Sequence, residues 1–302
     1  MSEHKCDEKY IVYKNDLKYR KHRNLEKSKI EFFNDEVKNM FEHDLDTIEY
    51  RIKECIESNC TTLDLKCMDL TDDTFPNISL SIAKKVKFLF LSENSLTKIP
   101  DQLINFTDIE VIDVSHNKIT NVKYLPPSLL ELSICHNPLT VFSETIKCVN
   151  IVTLVCSNCK LKTIPNFINL KLLLCGHNNI TTIRNFNNLK RLLCDTNQIK
   201  EINGCPNIEY LDCNRNPIDT LENNMHSLEH LICSDTKLST LPYKSPIKTI
   251  ESFNNNIHDL RYILTLDEFL CNINQLDSIS SRYKIKSITE HKKKFTHILF
   301  DK

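Results

Sequence analysis

The sequence predicts an α/β solenoid, in which short parallel strands stack into one curved sheet, and three observations carry that prediction. Asn178, Asn197 and Asn216 stand nineteen residues apart each time. Around each of them the same apolar positions return, eight, five and three residues before and two and five after. The tripeptides at the centre of this pattern, such as Leu173-Leu174-Cys175, alternate inward and outward as a short strand does. A fixed period near twenty residues marks a structural unit that cannot bury its apolar side alone and must stack on its neighbours.

Followed in both directions, the pattern covers most of the chain. It opens on a degenerate repeat, with Cys60, Leu63, Leu65 and Leu70 in place and Met68 in the Asn position. Asn94, Asn117, Asn137, Cys159, Asn178, Asn197, Asn216, Thr236, Asn255 and Asn274 then mark one repeat each, about eleven in all over 60–284. A buried Asn amide supplies both donors and acceptors to backbone groups that the turn leaves unpaired, so the turns at Cys159 and Thr236 are expected to be looser. Strands spaced roughly 4.8 Å apart make a rod roughly 50 Å long. Most return segments are too short for a helix and two loops, and extended or 3-10 segments are expected on the convex side. The step from Met68 to Asn94 is 26 residues and has room for a helical turn around Ser79 to Lys85.

Both ends differ from the middle. Residues 1–29 form a basic arm, with seven Lys or Arg between Lys14 and Lys29 against Asp16 and Glu26. It reads as a solvated, flexible lead-in, since no aromatic residues interleave the charges as a nucleic-acid arm would require. Within 30–59, Phe33, Val37, Phe41, Leu45, Ile48, Ile52 and Ile56 recur at helical spacing, and an amphipathic helix is expected to cap the open end of the core. Nineteen residues beyond Asn274 comes Lys293, with Ile285, Ile288, Phe295 and Ile298 in register and Glu290 in a position otherwise apolar or small. Residues 285–302 therefore read as a degenerate polar closing repeat.

Composition narrows the chemistry. Of 302 residues only two are Gly and none is Trp, so the Gly-rich loops that cradle phosphate or dinucleotides are missing. The formal net charge of -1 gives no bias toward nucleic acid or membranes. The first ten residues hold no apolar signal segment and no run is long enough to span a bilayer, so a cytoplasmic or other reducing intracellular location, and not secretion, is expected. There are fourteen cysteines. Cys156, Cys175, Cys194, Cys213 and Cys233 share one inward position, where a small soft hydrophobe lets backbones close up. In a line with parallel Cβ bonds they suit neither disulfides nor a tetrahedral metal site. His116, His136 and His177 share the position just before the Asn column and read as turn residues. No Ser-His-Asp set, HExxH motif or carboxylate pair emerges, so neither enzyme, metal nor cofactor is expected.

The Asn-centred pattern from Cys60 to about Ile298 resembles that of leucine-rich repeat proteins. Its Cys- and Asn-rich, Gly-poor version is also similar, by composition, to repeat proteins of amoeba-infecting giant viruses of the mimivirus type. The resemblance implies a horseshoe with its parallel sheet on the concave face, and a non-enzymatic scaffold that binds a protein there. A viral origin would put it in the host cytoplasm or the virion, with a host protein as partner. Residues six, four and two before the Asn position, and the one just before it, form that face. Val155, Leu174 and Leu193 are adjacent on it, with Ile232 further along and Leu172 and Tyr210 in the neighbouring column. Arg191, Asp195, Asp212 and Arg215 border them. An apolar patch rimmed by charge is the signature of an interaction site. The alternative is an adaptor or regulatory subunit, for ubiquitin ligation or a phosphatase, that recruits an enzyme through residues 1–59.

Overall fold

The computed structural model describes residues 47–57, 61–144, 146, 150–243, 245–255, 257, 263, 267–271, 287–290 and 297–298. The basic arm 1–29 and most of the expected cap helix lie outside the described residues. The chain divides into two compact units, Met1–Cys60 and Thr61–Lys302. In the first, the described helix is α1 (Ile48–Glu57). Cys55 is buried and Ile48, Tyr50, Arg51 and Ile52 are partly covered, whereas Ile56, expected on the apolar stripe, is exposed.

The second unit is the solenoid. Its strands are β1 (Thr62–Asp64), β2 (Phe88–Phe90), β3 (Val111–Asp113), β4 (Asn121–Val122), β5 (Glu131–Ser133), β6 (Val141–Phe142), β7 (Thr153–Val155), β8 (Leu172–Leu174) and β9 (Thr182–Arg184). They continue with β10 (Arg191–Leu193), β11 (Glu201–Asn203), β12 (Tyr210–Asp212), β13 (His230–Ile232), β14 (Thr249–Ser252), β15 (Glu268–Cys271), β16 (Ser287–Glu290) and β17 (His297–Ile298). One 13-stranded sheet runs β1-β2-β3-β5-β7-β8-β10-β12-β13-β14-β15-β16-β17. All of its pairings are parallel except the last, where β17 turns back antiparallel on β16. β16 extends the ladder in the expected register, Ile288 opposite Phe269 and Glu290 opposite Cys271.

The register puts one side chain per strand into a single interior row. Leu154, Leu173, Leu192, Leu211 and Leu231 pair in sequence and are completely buried. A second buried row, Cys156, Cys175, Cys194, Cys213 and Cys233, lies beside it. The return segments are extended, with short parallel pairs between β4 and β6 and between β9 and β11. A 3-10 turn spans Asp101–Asn105, and a helical turn, α2 (Leu80–Ala83), falls in the longest repeat as its length requires. Among the described residues no helix is long and apolar enough to cross a membrane.

The Asn position is the hinge of each repeat. The Asn197 Oδ1 accepts the Ile180 N–H at 2.9 Å, and its Nδ2 donates to the carbonyls of Cys175, Cys194 and Asp195 at 2.9–3.2 Å. Asn178 and Asn216 repeat the same four bonds on their own neighbours. One side chain thus ties two successive repeats together and satisfies groups that the turn would otherwise orphan. Cys159 offers only long sulfur contacts, 3.4 Å to the Ile134 carbonyl and 3.7 Å to that of Ser157. Thr236 donates to the Cys233 carbonyl at 2.9 Å and lies 2.6 Å from the Asn255 Oδ1, so the ladder is rewired there.

Two features go beyond the repeat pattern as read from the sequence. Eleven residues before the Asn position lies a further buried column, with Phe106, Phe167 and Phe186 where three of the repeats have room and Cys205 and Met225 in two others. In the turns that lead into the strands, Asn150, Asn188 and Asn207 donate to carbonyls one repeat back at 2.7–2.8 Å. This is a second amide ladder, and it lies at the surface.

Candidate functional site

The inner face of the sheet is built from the outward residues of each strand, and the register sets which of them are neighbours. Val155, Leu174, Leu193, Asp212 and Ile232 form one row across β7, β8, β10, β12 and β13. The parallel row runs Glu131, Thr153, Leu172, Arg191, Tyr210 and His230. The expected adjacency of Val155, Leu174 and Leu193 is therefore present. Their exposure is not uniform. Val155 and Leu174 are only 5% and 4% exposed, while Leu172, Leu193, Tyr210 and Ile232 are half-buried. Parallel strands a few ångströms apart let branched and long side chains in adjoining rows shield one another. Val155 and Leu174 are the floor of the patch, and the other four are its accessible surface.

The charged border is partly committed to internal contacts. Arg191 lays its guanidinium 4.6 Å above the Tyr210 ring, a cation–π contact. Tyr210 in turn lies 6.1 Å from the His230 ring, and His230 Nδ1 is 2.8 Å from Thr249 Oγ1. Asp212 Oδ1 accepts from the Asn214 N–H at 3.2 Å, holding the turn out of its own strand. Asp195 lies 3.4 Å from His177 Nε2 and accepts from the Thr196 hydroxyl at 3.1 Å. Its carboxylate occupies the space over Gly176, where a Cβ would come within 2.3 Å of Oδ1. A side chain at this position would require the Asp195 carboxylate to swing aside. Arg215 sits apart, on the turn, with Nε 3.8 Å from Asp235.

The position just before the Asn column differs most from its sequence reading as part of the inner face. Glu93, His116, His136, Asn158, His177, Thr196, Arg215, Asp235 and Asn254 all have φ between 52° and 58°. Among the described repeats a left-handed turn residue recurs in this column, without glycine. Asn, Asp and His tolerate that conformation best, which accounts for much of the column and for the histidines in it. His116 and His136 stack face to face, ring centroids 4.2 Å apart and planes 11° from parallel. Stacked rings set their nitrogens side by side instead of aiming them at one point. Among the described residues no group of three His, Cys, Asp or Glu is arranged to hold a metal ion.

The cysteine column carries no reactive thiol. Burial pushes Cys156, Cys175, Cys194 and Cys213 well above the ordinary thiol range, and Cys233 up to about 12. A buried thiol that holds its proton is a poor nucleophile at neutral pH. Glu131, which sequence reasoning passed over, stands out on the same face. Its Oε2 is shielded from solvent and meets no hydrogen-bond donor among the described residues, and desolvation raises its carboxyl above the usual range.

No protein-family model and no curated protein matches the chain. Solved structures do. The chain is similar to YopM from Yersinia enterocolitica WA-314, with a TM-score of 0.64 and 23% identity over 80% of this chain and 51% of that one. It therefore spans about half the length of that YopM. YopM from Yersinia pestis, a leucine-rich effector protein, superposes with a TM-score of 0.62 at 20% identity, over 79% of this chain and 70% of that one. InlJ from Listeria monocytogenes, whose functional domain includes a cysteine ladder, gives 0.53 at 22% identity over 71% of this chain and 54% of that one. At these identities the likeness is one of architecture, and it agrees with the register, the asparagine column and the extended return segments described above. This chain has the leucine-rich repeat fold.

Proposed function

We propose that the chain is a binding scaffold, not an enzyme, and that it takes a protein partner on the inner face of its sheet between β7 and β13. One observation carries the reading. Leu172, Leu193, Tyr210 and Ile232 are large apolar side chains left partly open on adjoining strands, with Arg191 and Asp212 among them. A patch with an aromatic residue and an arginine at its centre and a polar rim has the composition of an interface core.

The test is quantitative capture from cell lysate, comparing the intact chain with Leu193→Asp and Tyr210→Ala. Proteins retained by the intact chain and lost from both variants are the expected result, with loss of about tenfold or more for a central aromatic anchor. Leu174 is unsuited to this test. It is buried, so a charge there would disturb the fold as well as the face. Retention of the same proteins by both variants would remove the assignment.

A further inference from the structure

Asn203–Gly204 is the one Asn-Gly pair in the chain, and it closes β11 in a return segment outside the 13-stranded sheet. The fold fixes its glycine. Gly204 has φ 67°, and a Cβ there would stand 2.8 Å from Asn185 Oδ1 and 3.1 Å from the Asn185 backbone nitrogen. A glycine also leaves its own nitrogen unhindered toward the preceding side chain. Both reacting groups of the pair are held by carboxylates. The Gly204 N–H donates to Glu222 Oε2 at 2.8 Å, and the Asn203 Nδ2 donates to Glu201 Oε2 at 3.2 Å. Glu201 is itself paired with Arg184, the residue opposite Asn203 in the β9–β11 ladder. Asn203, Gly204 and Glu222 are each partly exposed, which gives water access to the pair.

We infer that Asn203–Gly204 is a latent self-modification site, converting Asn203 to aspartate and isoaspartate, and that Glu222 and Glu201 hold it unreacted in the folded chain. The chemistry needs water alone. The Gly204 nitrogen gives up its proton and attacks Asn203 Cγ. The new N–Cγ bond closes a succinimide, the Cγ–Nδ2 bond breaks, and the side-chain nitrogen leaves as ammonia with that proton. Water then adds at Cγ, restoring the main chain with an aspartate, or at the main-chain carbonyl carbon, rerouting the chain through Cγ as isoaspartate. Both contacts oppose the first step. An N–H bonded to a carboxylate resists losing its proton, since the resulting anion would face a like charge. Glu201 and Asn203 leave the same side of β11, so the bond between them draws the amide back along the strand, away from Gly204. Conversion would add a carbon to the main chain where Asn203 pairs with Arg184, or a further carboxylate beside Glu201 and Glu222.

The experiment incubates the full chain, Glu222→Ala, Glu222→Gln and Glu201→Ala at neutral pH. Proteolytic mapping with mass spectrometry follows the peptide that holds Asn203, with its aspartate and isoaspartate forms separated. The peptides of Asn188 and Asn207, which precede Leu189 and Ile208, are the references. Folded Glu222→Ala should convert Asn203 about tenfold faster than the intact chain, the rate equivalent of one charge-assisted hydrogen bond. Glu222→Gln, which keeps the shape and loses the charge, and Glu201→Ala should also be faster. In denaturing guanidinium chloride all four chains should convert Asn203 at one rate, above that of the folded intact chain. Equal rates for the folded and unfolded intact chain, or no acceleration in the folded variants, would overturn the inference. So would acceleration at Asn188 and Asn207 as well, which marks general loosening, or slower conversion in Glu222→Ala, which makes Glu222 the base.

Discussion

Along β8, β10 and β12 the interior row reads Leu173, Leu192, Leu211, while the residues beside them on the inner face read Leu174, Leu193, Asp212. The first is the same residue each time and wholly buried; the second changes from apolar to charged within three strands. Both rows share one backbone, one register and one turn geometry. What is constant must therefore serve the stack, because every repeat presents its neighbour with the same interior. What varies is released from that requirement and can be matched to something outside the chain. In a solenoid each repeat touches only its neighbours, so a change in one row is felt locally and the two roles separate cleanly.

The comparison breaks most severely at the asparagine column. Asn197→Ala removes the acceptor for the Ile180 N–H and the donor shared by three carbonyls, all in a buried site. A loss of about 3 kcal/mol in chemical denaturation is expected, since each orphaned buried group costs about 1–3 kcal/mol. The same substitution at the exposed Asn188, whose amide makes one bond to the Ile168 carbonyl, should cost less than about 1 kcal/mol.

The cysteine column gives the next effect, and its sign follows from linkage. Burial raises the pKa of Cys156, Cys194 and Cys213 far above the 9.0 of an exposed thiol, so the folded chain holds protons that the unfolded chain releases. Stability should be flat below pH 9 and fall as pH rises above it. The slope is about 1.4 kcal/mol per pH unit for each thiol involved. Urea midpoints between pH 8 and pH 10.5 check this, and a midpoint that stays level across that range would contradict it.

Restoring the column where it lapses should sharpen the contrast in the other direction. Cys159 stands in the Asn position with only weak sulfur bonds, although the N–H groups of Asn137 and Leu139 point toward it and partly offset its burial. Cys159→Asn is expected to stabilise by about 1 kcal/mol, the worth of a net buried hydrogen bond. The smallest effect belongs to the left-handed turn column. Thr196 is β-branched and has φ 53°, so Thr196→Gly should gain a few tenths to about 1 kcal/mol in thermal denaturation.

Legibility in the sequence followed the same division. The strands, their register, the asparagine hinge and the helical turn near Ser79 were all readable, because a signal repeated many times survives noise in any one copy. The phenylalanine column was missed for the complementary reason. Phe106, Phe167 and Phe186 share the column with Ala83, Cys205 and Met225, so the position is constant in burial but not in residue type. The rows of the inner face were readable as rows, but Val155 and Leu174 proved to be floor and not surface, since shielding depends on the size of neighbours across the ladder. Glu131 could not have been found from the sequence. One glutamate in an outward strand position looks like any other until the space around its Oε2 is known.

The most direct test of the division between stack and surface is a paired measurement on Leu193→Asp. Its unfolding free energy should lie within about 1 kcal/mol of the intact chain, because the side chain is half-buried on the face and not in the interior row. Its retention of the proteins captured by the intact chain should at the same time fall about tenfold or more. A variant that unfolds several kcal/mol earlier, or one that remains stable and keeps every captured protein, would contradict the account.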